Sequence, residues 1–242
     1  MNFGFTEEQE LIRAEVRKLL DQHAPLERVR EISESGASTD PALWARMAEL
    51  GWVGLTMPEE HGGVGLDLET LIVVLEETGR SLFPSPLIST VLASKAIERF
   101  GSSEQQARWL PGLAAGTSVG TFAFLERSDT LSPEGIQAAA KADGDELILS
   151  GEKLFVTDAG SADLFVVALR TGAEPEAISL VVVERSAPGV EAEDFDGMDL
   201  TKKLGRLRLE DVRVGRDGCL GELGAAWPAA SWLLDLGAAL VT

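Results

Sequence analysis

The residues with the clearest chemical potential lie in one stretch, LILSGEKLFVTDAGSADLFVVALR, which runs from Leu147 to Arg170. Its two apolar runs, bounded by Gly, Asp and Ser, predict β-strands. Between them, an aromatic at Phe155 and a hydroxyl at Thr157 offer a bound ligand a flat apolar surface and a hydrogen-bonding group. On the residues alone, a core position for Phe155 and a turn cap for Thr157 account better for the pattern.

Another catalytic pattern is present in the wrong context. The run GTSVG, from Gly116 to Gly120, has the spacing of a serine-nucleophile elbow, and His61 with the glycines after it resembles an oxyanion loop. An elbow needs a strand before it and a helix after it, whereas this run is predicted to follow a helix and precede a strand. Both histidines also precede Ser118, the reverse of the order in that class of hydrolase. An esterase is therefore not expected.

Histidine and cysteine usage limits the metal and redox chemistry. Two histidines far apart, His23 and His61, and one cysteine, Cys219, give no ligand set at metal-binding spacing, so no metal site is predicted. A single cysteine also allows no intrachain disulfide. The acidic N-terminus, with Glu7 and Glu8, does not fit a signal peptide. The expected location is the cytoplasm.

The charge balance limits the class of partner. Against 21 basic residues stand 40 acidic ones, which gives a formal net charge of −19 over 242 residues. Non-specific binding to nucleic acid or to an anionic membrane is therefore not expected. The apolar runs are far shorter than the roughly 20 residues that cross a bilayer. An anionic ligand needs local cations, which Lys202 and Lys203 could supply, although both fit equally well as solvated residues of a turn.

Helical periodicity dominates the first half of the chain. Thr6 followed by Gln9 forms a capping box, and Asp40 with Pro41 supplies a second helix start. Glycine or proline marks the ends of the later helical segments. The predicted helices start at about residues 6, 40, 68, 86 and 103, and the last three end at about residues 78, 100 and 111.

Alternation with a period of two replaces the helical spacing after Gly120. The segment from Ile136 to Ala142, a turn at Asp143 and Gly144, and a strand from 146 to 149 predict a β-hairpin. Further strands are predicted over residues 164–169, 178–184 and 204–212. Because hairpins connect them, the sheet is expected to be mostly antiparallel.

A final helical pattern begins at about Ala225. Its apolar face carries Leu233, Leu236 and Leu240, yet no second helix follows to cover that face before Thr242. The helix could fold back on the first half of the chain. The favoured expectation is that it is the start of a longer helical region.

Four segments, in the same order along the chain, resemble the acyl-CoA dehydrogenase family. They are FTEEQELIRAEVRKLL near the start, ELGWVGLTMPEEHGGVGLDLETLIVVLEETGR at 49–80, GEKLFVTDAGSADLFVVA at 151–168 and TKKLG at 201–205. The resemblance covers the whole chain and implies an α+β fold with an N-terminal α-helical domain over residues 1–117. A mostly antiparallel β-domain over 118–222 and the start of a C-terminal helical bundle over 223–242, with the rest of that bundle absent, complete the expected architecture.

This resemblance implies an FAD-dependent enzyme that dehydrogenates an acyl-CoA thioester. In the family a carboxylate base removes the α-proton and the β-hydrogen passes as hydride to flavin N5. The resemblance places Phe155, where the family usually has Trp, against the isoalloxazine ring, and the Thr157 hydroxyl near N5, with Val156 in the same cofactor-binding segment. The implied partners are an acyl-CoA substrate, an electron-transfer flavoprotein or similar acceptor, and further subunits of a homo- or hetero-oligomer.

A second cofactor-binding segment is implied at Phe124, Leu125 and Glu126, in the run TFAFLERSDTLSPEG. The family has Thr-Glu-Pro there, followed by a Gly-Ser-Asp turn, so Leu125 stands for the Thr and Arg127 for the Pro, and the glycine turn is missing or rearranged. Backbone amides can still bind the flavin, because they do not depend on the side chain. Ser128 is the candidate for the turn serine and for substrate contact, and Glu126 is expected to have a structural role.

The family's catalytic base is a Glu of the C-terminal bundle, and no residue up to Thr242 matches it. The catalytic residue is therefore unknown and expected beyond the chain end, and this polypeptide alone is expected to be inactive. A flavin-dependent monooxygenase of the same architecture is one alternative. A non-catalytic, flavin-poor subunit of a heteromeric assembly is another, favoured by Leu125 and the missing glycine turn. The dehydrogenase is preferred because Phe155 and Thr157 keep suitable chemistry.

Overall fold

The computed structural model describes residues 4–195 and 197–241 and has the predicted order of helices, then strands, then a helix. The predicted domain limits at Met1 and Thr242 lie outside the described residues. No α-helix in the described ranges is long and apolar enough to cross a membrane. The α-helices are α1 (Glu7–His23), α2 (Leu26–Glu34), α3 (Pro41–Glu49), α4 (Leu68–Arg80), α5 (Leu87–Phe100), α6 (Ser103–Ala114) and α7 (Trp227–Val241).

The predicted helix starts at Thr6 and Asp40 are confirmed. The Thr6 hydroxyl accepts from the Gln9 amide at 3.2 Å, and the Gln9 side chain accepts from the Thr6 amide at 3.0 Å, which completes the capping box. Asp40 accepts from the Ala42 amide at 2.9 Å at the start of α3. These bonds satisfy amides that the first helical turn leaves without partners.

The second half forms one mixed sheet. Its strands are β1 (Gly120–Ala123), β2 (Ala139–Asp143), β3 (Glu146–Thr157), β4 (Leu164–Arg170), β5 (Ile178–Glu184), β6 (Val190–Asp194), β7 (Leu204–Gly215) and β8 (Cys219–Leu220). The strand order is β6-β7-β3-β2-β4-β5-β8, and β1 pairs with β4 beside this path. The long pairings β3–β7, β4–β5 and β2–β3 are antiparallel, as predicted, whereas β1–β4 and a single β2–β4 pair are parallel.

Several elements differ from the sequence prediction for physical reasons. The strand predicted after the GTSVG run is β1, whereas the unanticipated β8 has two residues, too few for a periodic signal. α2 was also unanticipated, because Pro25 at its start makes no side-chain cap. α6 continues beyond Pro111 to Ala114, since Leu113 and Ala114 are buried and packing holds the last turn.

The last helix, expected to be the start of a longer helical region, packs its apolar face against both halves of the described chain. Leu233 is fully buried in a core shared with α5, α6, β4 and β5. Leu236 and Leu240 are buried in a second core shared with α1, α3 and α4. Trp232 meets Phe100 of α5 edge to face, with ring centroids 5.8 Å apart. The alternative in which α7 folds back on the helical half therefore describes its packing.

Candidate functional site

Phe155 lies at an irregularity in β3 that turns its ring outward. The pairing of β3 with β7 shifts register between Lys153 and Val156, which is a β-bulge. Phe155 has φ +54°, a left-handed conformation that is uncommon for residues other than glycine. Its side chain is 50% exposed and meets Phe195 edge-on, with centroids 6.4 Å apart. The ring therefore lies at the surface and does not fill the core.

The next two residues of β3 divide their roles between the core and the surface. Val156 is buried in the core of the sheet, so only its backbone can contact a ligand. The carbonyl of Thr157 accepts from the Thr121 hydroxyl at 2.7 Å, which ties the end of β3 to β1. The hydroxyl of Thr157 makes no hydrogen bond with any residue in the described ranges, so it does not cap a turn there.

The structure brings the two predicted cofactor-binding segments together. The Leu154 amide donates to the carbonyl of Leu125 at 2.8 Å, directly beside Phe155. Phe124 is buried and packs its ring against Trp227 of α7, at a centroid distance of 6.3 Å. Within the described part of the chain, the amides of Leu125 and Glu126 donate no hydrogen bond. Unpaired amides next to a surface aromatic leave donors for a ligand.

Glu126 is held by contacts within the protein. Its carboxylate lies 2.7 Å from the ammonium of Lys153 and accepts the amides of Gln137 at 2.9 Å and Ala138 at 3.0 Å. The Lys153 ammonium also donates to the carbonyl of Phe124 at 3.1 Å. Burial lowers the pKa of Lys153 to about 8, against the raising effect of Glu126. With its acceptor atoms used in this way, Glu126 is not placed for acid–base catalysis.

Ser128 lies outside this cluster, in an exposed turn. Its hydroxyl donates to the carbonyl of Gly135 at 3.2 Å. Arg170 of β4 anchors the same turn by donating to the carbonyls of Ile136 at 2.8 Å and Pro133 at 2.5 Å. The turn therefore has defined internal contacts, and the Ser128 hydroxyl is already a donor within it.

A second buried ionisable group follows Thr157. Asp158 also has a left-handed backbone, with φ +55°, and accepts the Ser89 hydroxyl of α5 at 2.6 Å. Burial raises the pKa of Asp158 to about 6, against the lowering effects of Ser89 and Lys202. The Asp158 amide donates to the carbonyl of Lys203 at 2.8 Å. These contacts connect the end of β3 to α5 and to the loop before β7.

A cavity of about 400 Å³ lies between the helical region and the loop before β7. Lys202 lines it, so this lysine faces a cleft, whereas the contact recorded for Lys203 at the site is made by its backbone carbonyl. Apolar side chains form most of the remaining wall. They include Ile72, Leu75, Leu82, Phe83, Leu87, Ile88, Leu240 and Val241.

Sequence reasoning missed Lys153 and Asp158. Lys153 had a signal, because Leu147 and Leu149 alternate on the buried face of β3 and Lys153 shares their parity. A lysine at an inward position calls for a buried acidic partner. Asp158 had no such signal, since its burial depends on Ser89, which is 69 residues away along the chain.

Comparisons with known proteins agree with one another. A family model described as the acyl-CoA dehydrogenase N-terminal domain matches residues 6–117, and one described as the middle domain matches residues 121–212. A probable acyl-CoA dehydrogenase of Bacillus subtilis, YngJ, is 31% identical over 98% of this chain and 64% of its own length. The long-chain specific mitochondrial acyl-CoA dehydrogenase of Sus scrofa is 30% identical over 90% of this chain and 52% of its own length.

Solved structures match over nearly the same region. A chain from the structure described as the electron transferring flavoprotein of Acidaminococcus fermentans has a TM-score of 0.92 and 31% identity, covering 100% of this chain and 65% of that one. Butyryl-CoA dehydrogenase from Megasphaera elsdenii has a TM-score of 0.89 and 27% identity, covering 100% of this chain and 65% of that one. An acyl-CoA dehydrogenase of Bacillus anthracis, solved with FAD, has a TM-score of 0.87 and 26% identity, covering 98% of this chain and 41% of that one. The chain thus spans between about two fifths and two thirds of the proteins named here.

Proposed function

Because this chain belongs to the acyl-CoA dehydrogenase family, we propose that it binds FAD and contributes to the α,β-dehydrogenation of an acyl-CoA thioester. In this proposal residues 1–117 form the helical domain and 118–222 the β-domain that holds the flavin. Residues 223–242 begin the C-terminal helical region. No residue of this chain is assigned as the catalytic base.

The observation that carries the proposal is the convergence of two segments at one surface. Phe155 presents half of its side chain to solvent, and the Thr157 hydroxyl two residues later has no hydrogen bond in the described part of the chain. Beside them, the Leu125 and Glu126 amides lack acceptors among the described residues. An apolar ring, a hydroxyl and two amide donors are the groups that a flavin ring system with a polar edge requires.

FAD therefore fits the residues that are present, although Leu125 stands where the family has a hydroxyl. Bound FAD supplies the hydride acceptor for the oxidation. Phe155 would pack on the ring, Thr157 would donate near its central nitrogen, and the amides of Leu125 and Glu126 would hold its polar edge. Ser128 is proposed as a substrate contact, made through the free lone pairs of its hydroxyl, since its proton is donated to Gly135.

The cavity between the helical region and the loop before β7 supports an acyl-CoA substrate. Its walls are mainly apolar, which suits an acyl chain. Lys202 at its edge offers a cation to an anionic group in a protein whose net charge is −19. An electron-transfer flavoprotein or similar acceptor, and association with further subunits, are proposed with the reaction.

Flavin titration of purified variants tests the proposal. Wild-type protein is mixed with FAD, passed over gel filtration and scanned for bound flavin absorbance. Phe155→Ala should weaken FAD binding about tenfold, because a buried aromatic contact adds about 0.5–1.5 kcal/mol to its area term. Thr157→Val should weaken it by about three- to tenfold through loss of one hydrogen bond.

A matched control keeps the test specific. Leu11→Ala removes a similarly exposed apolar side chain from α1, far along the chain from either cofactor segment, and should leave FAD binding unchanged. Wild-type protein that retains no FAD, or Phe155→Ala and Thr157→Val variants with wild-type affinity, would contradict the proposal. Equal losses in all three variants would do the same, because they would indicate a general effect on folding.

A flavin-poor subunit of a heteromeric assembly is the second candidate. Leu125 provides no hydroxyl at the position where the family has one, and the Ser128 hydroxyl already donates within its own turn. Under this candidate, the wild-type chain retains no FAD while remaining folded and associated with a homologous subunit. The same titration, combined with light scattering of the purified complex, distinguishes the two functions.

A further inference from the structure

Lys153 is a fully buried cation whose contacts lead to the cofactor segment. Its side chain is 0% exposed and lies within β3. Both recorded contacts of its ammonium reach across to one short stretch, the Phe124 carbonyl at 3.1 Å and the Glu126 carboxylate at 2.7 Å. That stretch follows β1 and has no strand pairing of its own.

Glu126 extends the link to a third segment. Its two carboxylate oxygens accept the amides of Gln137 and Ala138, which precede β2. The buried pair therefore joins β3, the stretch 124–126 and the start of β2, at a point where the ladders of β1 and β2 do not reach. Apolar side chains could fill this volume at a lower desolvation cost, so packing alone does not explain a charged pair here. The role that the pair can fill and apolar side chains cannot is to bond and orient backbone groups.

The planarity of the peptide group shows what is oriented. In a trans peptide, the carbonyl oxygen and the amide hydrogen point in opposite directions. Lys153 holds the carbonyl of Phe124, and the Leu154 amide holds the carbonyl of Leu125. The Phe124 carbonyl therefore points toward the Lys153 ammonium and the Leu125 carbonyl toward the Leu154 amide, and the amide hydrogens of Leu125 and Glu126 point away from these two donors. Neither amide donates a hydrogen bond to a described residue.

We propose that Lys153 is a positioning residue for the flavin, which fixes the Phe124–Leu125 peptide so that the Leu125 and Glu126 amides form a donor pair. This inference rests on the proposed FAD function and adds a residue that does not itself touch the cofactor. Without the ammonium, the peptide group between Phe124 and Leu125 can rotate, and the Leu125 amide no longer has a fixed direction. Leu154 still holds the second peptide, so part of the donor pair remains.

The double variant Lys153→Met with Glu126→Gln tests this role. It removes the donor to the Phe124 carbonyl without leaving an unpaired buried charge, so the protein should remain folded. FAD affinity should fall about tenfold, and the visible flavin absorption band should move toward that of free FAD. Hydrogen exchange at the Leu125 amide should slow on FAD addition in the wild type and not in the double variant. Wild-type affinity and spectrum in the double variant would overturn the proposal.

Glu77→Gln in α4 is the matched control, because it disturbs another buried glutamate, one bonded to Arg17 and Arg80 rather than to the cofactor segments, and should leave affinity and spectrum unchanged. Hydrogen exchange without FAD separates this inference from the proposed function. Faster exchange over residues 124–138 in the double variant is expected, and unchanged exchange there overturns the role of Lys153. Wild-type protein that retains no FAD overturns the proposed function, whatever the exchange result.

Discussion

Two buried glutamates, one in each half of the molecule, are compensated in opposite ways. Glu77 on α4 is 3% exposed and accepts hydrogen bonds from Arg17 of α1 at 2.9 and 2.6 Å and from Arg80 at 2.9 Å. Both guanidinium groups reach solvent, with 49% and 44% of their side chains exposed. Glu126 is 8% exposed, and its counterion Lys153 has no exposed surface.

The difference shows that burial of the cation decides what an ion pair contributes. The hydrogen bond from Arg17 lowers the pKa of Glu77, while the guanidinium groups keep much of their hydration. Lys153 loses its hydration, and burial lowers its pKa to about 8. The first arrangement holds α1 against α4 at a small desolvation cost. The second carries the full desolvation cost and directs backbone groups where strand pairing ends.

The largest effect is expected from Lys153→Met alone. It leaves Glu126 buried without its cation, which should lower the free energy of unfolding by about 3–5 kcal/mol. Adding Glu126→Gln should recover most of this loss, because the uncompensated charge is removed. Urea unfolding of the wild type, both single variants and the double variant gives the coupling energy. Strict additivity of the two single losses would contradict the view that the pair acts as a unit.

A smaller loss is expected from Glu77→Gln, about 1.5–3 kcal/mol, because the guanidinium groups of Arg17 and Arg80 keep their charge but lose their anionic acceptor. Since the folded-state pKa of Glu77 is lowered, its contribution is present above the unfolded pKa, which is about 4.3 for a Glu side chain, and is lost as the pH falls through the folded value. The difference between variant and wild type should therefore be constant from pH 6 to 8 and shrink below pH 4. Urea unfolding of the wild type and the variant at pH 7 and pH 3.5 measures the size of the loss and its decrease in acid. A difference that stays constant down to pH 3.5 would show that packing, and not charge, sets the effect.

Asp158 extends the comparison to a buried carboxyl that has no salt bridge with any described residue. Asp158→Asn should raise the free energy of unfolding at pH 7.5 by about 1–2 kcal/mol, because burial raises the folded pKa to about 6 and the ionised form is disfavoured. Asparagine can still accept from Ser89 and tolerates the left-handed backbone. Between the unfolded pKa of Asp158 and about 6, the folded wild type binds more protons than the unfolded wild type. The stability that Asp158→Asn gains over the wild type therefore fades as the pH falls through that window.

Thermal unfolding of Asp158→Asn at pH 7.5 and pH 4.5 tests the sign. Ser89→Ala, which removes the hydroxyl and keeps the carboxyl, serves as the matched control and should destabilise at pH 7.5. A loss of stability in Asp158→Asn at pH 7.5 would show that Lys202, which lowers the pKa of Asp158, compensates the buried charge in the way that the arginines compensate Glu77.

Local signals were enough to predict most of the fold, and long-range ones were missing. The capping box at Thr6 and the hairpin turn at Asp143 and Gly144 are encoded within a few residues, so both halves of the fold followed from the sequence. The outward turn of Phe155 comes from a bulge that depends on pairing with β7, which no local pattern reveals. For the same reason the residues alone favoured a core position for Phe155, and only the family resemblance placed it against a flavin ring.

The site shows the same limit more sharply. The resemblance supplied the segments 124–126 and 155–157, but their adjacency rests on contacts that span 29 residues, such as Leu154 to Leu125 and Lys153 to Phe124. Packing of α7 on the helical half was one of two alternatives, and α5 could not be identified as its partner because it lies more than 120 residues earlier. Side chains that act through such contacts carry no motif of their own.

The smallest effect is expected where a charge has two partners and all three groups are exposed. Arg213 on β7 donates to Asp143 at 3.1 Å and Glu146 at 2.7 Å. One cation between two carboxylates is the reverse of Glu77, which lies between two arginines. All three side chains of the Arg213 cluster are about half exposed. Arg213→Gln should change the free energy of unfolding less than any of the variants above, because water competes for both contacts. Salt at 0.5 M should reduce even this difference by screening. If the loss instead approached that of Glu77→Gln, the number of partners rather than their burial would set the strength of these ion pairs, and the contrast between the two halves of the molecule would have to be explained without desolvation.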